Sequence, residues 1–150
     1  MDVEIGIAVW EKLQNSSLVQ RGLSIVPDYS LPLETPAMIA NDTDLSVIYF
    51  LPSYFDRLGE LEKAWASAYA VRHEAAHSIY DSLSEETVSH LAWNLISDDE
   101  IFGIIRNVLD ERQRRRSEAW RNLAIASGIG ALATSPIWMP PLMKWLARRV

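Results

Sequence analysis

Residues 68–83 of the chain read AYAVRHEAAHSIYDSL, and the H-E-x-x-H pattern from His73 to His77 within them decides the fold. The two histidines are four residues apart, so on an α-helix both imidazole rings lie on one face and can bind the same ion. Apolar side chains at helical spacing surround the pattern. Together they predict a helix from about Glu60 to Asp81 with one buried face.

Glu74 directly follows the first of these histidines and is the predicted general base. On a helix its carboxylate lies beside the open side of an ion held by His73 and His77, where it can accept a proton from a water molecule. The chain has no cysteine, so any metal must be held by histidine, aspartate or glutamate, and Zn²⁺ is the expected ion. The alternative is a pair of helix histidines that are exposed or hydrogen-bonded in a core.

A catalytic zinc ion needs a third protein ligand, which the motif itself does not supply. Position 83 is leucine, which excludes the longer metzincin pattern, and we interpret the one remaining histidine, His90, as a polar position on an amphipathic helix. The acids at 98–100, which begin 21 residues after His77, are better candidates, as are those at 110–111. The alternative for residues 98–100 is that acids are favoured at a helix N-terminus by the helix dipole.

The residues before the motif predict one helix and two strands. A helix is expected from about Val3 to Val19, ended by Gly22, and the apolar run 23–26 predicts a short strand. Residues 27–44 are rich in proline and polar turn residues, which indicates a loop with extended pieces. The β-branched and aromatic run 45–50 (LSVIYF) is the best strand prediction in the chain.

The residues after the second strand predict helices. A short helix is expected around 53–58, before the long helix that carries the motif. Ser82 with Glu85 forms one capping box and Ser97 with Glu100 forms another, so new helices are expected to begin at both serines. The predicted fold class is therefore α+β, mostly helical, with a short β-sheet.

The order of these segments resembles the minimal gluzincin-like metallopeptidases (minigluzincins). It also resembles the metallopeptidase domain that often precedes a von Willebrand factor A-like domain. The resemblance rests on Thr35-Pro36 and the polar run 41–44 before the strand segment 47–55 (VIYFLPSYF), on the H-E-x-x-H at 73–77, and on 93–98 (WNLISD). It covers roughly residues 3–112 and implies a zincin-like fold for a domain spanning 1–112.

Carried onto this chain, the resemblance implies a zinc metallopeptidase. Zn²⁺ would be bound by His73, His77 and Asp98, and peptide or protein substrates would be hydrolysed through a zinc-activated water with Glu74 as the general base. The segment 107–111 (NVLDE) echoes a minigluzincin helix and keeps Asp110 as a rival third ligand.

The resemblance also predicts where substrate binds, and the chain departs from the family pattern in two places. Strand 45–50 would form the upper rim of the cleft at a sheet edge, where an extended peptide adds as a further strand. The run 41–44 lacks the glycine of the family's turn, and Ile96 stands where a small residue is usual.

Charge divides the 150-residue chain into an acidic and a basic part. Residues 1–110 hold 6 basic and 18 acidic side chains, whereas residues 111–150 hold 8 basic and 2 acidic ones. The acidic part is expected to repel nucleic acid, which therefore is not a predicted partner. The acidic start lacks the basic region of a signal peptide, which predicts a cytosolic protein.

The C-terminal extension, residues 113–150, contains an uncharged stretch at 122–143 that is long enough to span a bilayer. Cations and tryptophans flank this stretch, but it also contains three prolines. The open alternatives are a membrane-associated segment, a helix packed on the domain, and a cover of the cleft that keeps a protease latent. A non-catalytic zinc-binding module, docked to a membrane or partner through this extension, is the alternative to an active enzyme.

Overall fold

The structure, a computed structural model, describes residues 1–80 and 83–126. In that part of the chain it is α+β and mostly helical, as predicted, with five helices and three strands. Contacts within the chain divide it into two compact units, 1–108 and 109–150. The elements are α1 Val3–Asn15, β1 Gly22–Pro27, β2 Ala37–Asn41, β3 Leu45–Phe50, α2 Pro52–Phe55, α3 Glu60–Ile79, α4 Glu85–Leu95 and α5 Asp98–Ala126.

The sheet has the strand order β1-β3-β2, in which β1 is parallel and β2 antiparallel to β3. The prediction that 45–50 lies at a sheet edge is wrong, because this strand is paired on both sides. It is flanked on one side by β2, whose residues were predicted to be a loop with extended pieces. The short apolar run AMIAN pairs with β3 across a tight turn, in which the Asp42 N–H donates to the Leu45 carbonyl at 2.8 Å.

Several helices are shorter than the sequence predicts. The first ends at Asn15 rather than near Val19, and Ser17 in the following turn has a positive φ of 58°.

The expected break at Ser97 is confirmed: the Ser97 Oγ accepts from the Glu100 N–H at 3.3 Å, and a Glu100 carboxylate oxygen accepts from the Ser97 N–H at 3.1 Å. Helix α4 begins at Glu85 and not at Ser82, which lies outside the described residues.

Helix α1 packs closely against α3 and β1, and this packing determines which face of α3 is left open. Small side chains of α3, Ser67 and Ala68 among them, are buried on this side, and the Ser67 Oγ accepts a hydrogen bond from the Asp2 N–H at 2.7 Å. A Cβ at Gly6 would lie 2.7 Å from the end of the Ile25 side chain and 3.2 Å from the Val71 side chain, so a larger residue there requires these side chains to shift. The opposite stripe of α3 is consequently free to form a binding surface.

No helix among the described residues combines the length and apolar content that crossing a membrane requires. Residues 127–143 of the predicted membrane-associated stretch lie outside the described part of the chain.

Candidate metal centre

One stripe of α3 lines an open groove of about 1000 Å³. Trp65, Tyr69, His73 and His77 follow one another at intervals of four residues along this stripe, so the helix places two aromatic rings and then two imidazoles on the same surface. The opposite wall is formed by residues 34–38, the segment that leads into β2. The histidine pair therefore lies in a groove that has the dimensions of a ligand site.

The two histidine side chains converge with a carboxylate that is not among the acids predicted as ligands. The Nε2 atoms of His73 and His77 are 3.1 Å apart. The Oε1 atom of Glu85 lies 2.7 Å from His73 Nε2, and its Oε2 atom lies 3.1 Å from His77 Nε2. Among the described residues, these three side chains form the only histidine and acid group whose ligand atoms all lie within 4.8 Å of one another.

This arrangement fits a zinc ion. Each Nε2 offers a single hydrogen or lone pair in the plane of its ring, yet each faces two polar neighbours, the other Nε2 and a Glu85 oxygen. If each ring donates its Nε2 hydrogen to a Glu85 oxygen, the 3.1 Å contact between the two Nε2 atoms has no hydrogen bond, whereas a cation at the centre can bind all three groups. A tetrahedral zinc with bonds of 2.0–2.2 Å places its ligand atoms roughly 3.3 Å apart, close to the distances found here.

The local structure explains why Glu85 was missed as a ligand. It was assigned to a capping box with Ser82, but the Ser84 side chain is the cap of α4 and accepts from the Thr87 N–H at 3.4 Å. The Glu85 carboxylate is then available to the two histidines, although it remains largely exposed. The signal that could have identified it is an acid in the first turn of the helix that follows the motif after a short connection.

Asp98, the predicted third ligand, is placed elsewhere. It accepts from Arg72 Nη1 at 2.9 Å, and the same guanidinium donates to the Ile96 carbonyl at 3.2 Å. Arg72 is held over the rings of Tyr69 and Trp93, at 4.5 and 4.1 Å from their centroids, and its side chain is 3% exposed. Neighbouring residues on a helix point about 100° apart, so an acid bound to Arg72 is directed away from the adjacent histidine.

The other candidates for the third ligand also lie outside the group. His90 is exposed on α4. Glu100 caps α5 and forms an ion pair with Lys12 at 2.9 Å. Asp110 belongs to the second unit. In the described structure, the acid that accompanies the histidines is therefore Glu85 and not one of the predicted acids.

Glu74, the predicted general base, is buried beside the histidines, with 6% of its surface exposed. The pKa of this carboxyl is raised to about 7, chiefly by burial and in addition by the negative charge of Glu85, while a hydrogen bond from the Ile39 N–H opposes the shift. A carboxyl with a pKa near neutrality can both accept and release a proton at the pH of a cell.

The hydrogen bond to Glu74 shows which edge of the sheet faces the site. In an antiparallel pair, alternate residues direct their N–H and C=O groups toward the partner strand. The Asp42 N–H bonds to β3, so Ile39, three positions earlier, directs its N–H away from β3 and toward Glu74. The free edge of β2 therefore borders the candidate metal centre.

Comparison with known proteins gives no match for this chain among protein families, curated protein sequences or solved structures. The resemblance to minigluzincins rests on the residues quoted above, chiefly on His73 to His77. A function is therefore inferred from the geometry of the site.

Proposed function

We propose that this protein is a zinc-dependent peptidase of the minigluzincin type. The observation that carries the proposal is the convergence of His73 Nε2, His77 Nε2 and the Glu85 carboxylate beside the buried carboxyl of Glu74. Two imidazoles and one carboxylate form the ligand set of catalytic zinc in many hydrolases, with a fourth position left for water or substrate. All four side chains line the open groove, from which water and substrate would reach a bound ion.

Glu74 has the two properties that a general base at such a site needs. Zinc, when bound here, supplies a water of lowered pKa and polarises the scissile carbonyl. The Glu74 carboxylate, buried beside the two histidines, would accept the proton of the attacking water and deliver it to the leaving amine. The Ile39 N–H holds one end of the carboxylate in place during both transfers.

The groove and the free edge of β2 favour an extended peptide as substrate. An extended chain can hydrogen-bond to the free edge of a strand, and its alternate side chains then enter neighbouring pockets. The part of the groove toward the N-terminus of α3 is lined by Leu61, Trp65 and Tyr69, which suit a bulky apolar side chain. The strand that receives the peptide is then β2, in place of the strand 45–50 expected from the sequence.

The proposal is tested by Glu74→Gln. This variant should bind one zinc ion per chain, as the wild type does, and should lose hydrolysis of fluorescein-labelled casein, because an amide cannot accept the proton. Glu86→Gln, an exposed neighbour of Glu85, is the control and should keep both properties. Cleavage by Glu74→Gln at the wild-type rate would refute the mechanism, and a zinc-loaded wild type without activity would favour the non-catalytic module.

A further inference from the structure

A second, smaller pocket of about 520 Å³ adjoins the candidate metal centre. It shares Met38, Glu74 and His77 with the groove, and its remaining polar lining comes from Arg21, Asn41 and Ser78. The groove extends from the histidines along α3 toward its N-terminus, whereas this pocket lies by the C-terminal end of α3. A substrate that crosses the centre would therefore meet apolar side chains on one side and polar ones on the other.

Arg21 brings a positive charge to this pocket, and no acid in the described part of the chain forms an ion pair with it. Three other cations of the first unit, Lys12, Lys63 and Arg72, each form an ion pair at 2.9–3.0 Å. Arg21 forms none with the described residues, including Glu74 in the same pocket; its guanidinium donates to the Ser78 Oγ at 3.2 Å. In a protein whose first 110 residues hold 18 acids, an arginine without an acidic partner at the site is available to an anionic ligand.

The position of Arg21 does not depend on its side chain. Its backbone carbonyl accepts hydrogen bonds from Trp10 Nε1 at 2.9 Å and from Gln14 Nε2 at 2.8 Å, which anchor this residue to α1. Replacement of the guanidinium leaves both bonds in place and removes only the contact with Ser78. The side chain is therefore not required to hold α1 and the segment before β1 together.

Asn41 supplies a second donor group. Its Oδ1 accepts from the Ser46 Oγ at 2.7 Å and from the Ser78 Oγ at 3.1 Å. With Oδ1 occupied by two hydroxyls, the Nδ2 hydrogens are left to donate, and no described residue accepts them. The pocket thus combines a guanidinium and an amide N–H₂ group, the donors that bind a carboxylate.

We propose that this pocket binds a carboxylate of the peptide substrate, through Arg21 and Asn41, next to the bond that is cut. The inference rests on the proposed peptidase function and adds a substrate class to it: peptides that carry a negative charge at the polar end of the site. The carboxylate is either the free C-terminus of the peptide or the side chain of an aspartate or glutamate. Both sources offer the same carboxylate group, and the experiment below distinguishes them.

The experiment measures peptide binding by calorimetry to zinc-loaded Glu74→Gln protein, which does not consume its ligand. The first pair of probes is acetyl-Leu-Phe-Ala with a free carboxylate or with a C-terminal amide. The second pair is acetyl-Leu-Phe-Ala-Glu-Ala-amide and the same peptide with glutamine in place of glutamate. In one of the two pairs, the peptide with the carboxylate should bind roughly tenfold to a hundredfold more tightly than its neutral counterpart, as expected for a charge-assisted hydrogen bond. The pair that shows this difference identifies the source of the carboxylate.

Substitution of Arg21 identifies the source of this preference. Arg21→Gln should reduce the ratio of charged to neutral affinity to near one, and Arg21→Lys should keep part of it because the charge remains. Arg57→Gln removes an exposed arginine that lies over the Tyr54 ring and should keep the full ratio. Asn41→Asp places a carboxylate in the pocket and should also abolish the preference, so the test does not depend on one variant folding.

The outcomes separate this inference from the proposed function. A preference for charged peptides that survives Arg21→Gln would mean that the carboxylate binds the zinc ion itself, and it would overturn the inference. Equal binding of charged and neutral peptides would overturn it too, while hydrolysis by the wild type would leave the peptidase proposal intact. A preference that depends on Arg21, in a wild-type protein that cleaves no peptide, would support the pocket and refute the peptidase.

Discussion

Two acids compete for the role of third zinc ligand, and a pair of variants separates them. Glu85 lies 2.7 and 3.1 Å from the two imidazole nitrogens, whereas Asp98 accepts a hydrogen bond from Arg72 at 2.9 Å. Glu85→Gln and Asp98→Asn each replace a carboxylate by an amide of nearly the same shape. The structure predicts that the first variant loses zinc affinity and that the second does not.

The expected size of the effect follows from the number of ligands. Structural zinc sites with four protein ligands bind with about 10–16 kcal/mol, or roughly 3 kcal/mol for each ligand. Loss of the Glu85 charge should therefore raise the zinc Kd about a hundredfold. Asp98→Asn weakens the hydrogen bond that the buried Arg72 donates, so it should cost about 1–3 kcal/mol of folding stability and leave the zinc Kd unchanged within about threefold.

The assay is competition for zinc between the metal-free protein and a chelating dye, with urea unfolding of the same samples as the measure of stability. Glu86→Gln again serves as the control, because it removes a neighbouring exposed acid on α4. A zinc Kd that rises with Asp98→Asn and stays constant with Glu85→Gln would refute the assignment. It would also restore the ligand set implied by the resemblance to minigluzincins.

Three further changes test the packing of the first unit. Arg72→Met should lower the free energy of unfolding by about 2–4 kcal/mol, measured in urea, because the Ile96 carbonyl loses its donor and two aromatic rings lose the cation above them. Gly6→Val should lower the Tm, since its side chain would meet neighbours from both β1 and α3; an unchanged Tm would contradict this close approach. The hydrogen bond from Lys12, followed by those from Ser97, lowers the pKa of Glu100 to about 2, so this carboxylate stabilises the fold above pH 4.5 and the contribution is lost as the pH falls toward 2. The Tm of Lys12→Gln should therefore be lower than that of the wild type near neutral pH. The two Tm values should converge as the pH falls toward 2.

The parts of the structure that were predicted correctly depend on neighbours in the sequence. The helix around His73 to His77, the strand at 45–50 and the capping box of Ser97 with Glu100 are all present. Each follows from a local rule: the period of apolar residues, the run of β-branched side chains, or a serine three residues before a glutamate. The sequence also placed both imidazoles on one face of a helix, because four residues span about one turn.

The order of the strands was not predictable in the same way. Residues 37–41 contain only one β-branched side chain, Ile39, so they do not stand out as a strand, and they form one because β3 lies beside them across a short turn. Once β2 is in place, strand 45–50 is central and the free edge at the site belongs to β2. Pairing between strands is a long-range contact, which local propensity does not contain.

The choice of acid beside the histidines was likewise decided by tertiary structure. By itself, the sequence determined that two histidines would share one face of a helix, with Glu74 next to them. Glu85 and Asp98 both lie in the first turn of a later helix, where the helix dipole favours acids, and local sequence does not distinguish them. The fold distinguishes them because the buried Arg72 needs a partner and takes Asp98, while the connection after α3 returns Glu85 to the imidazoles.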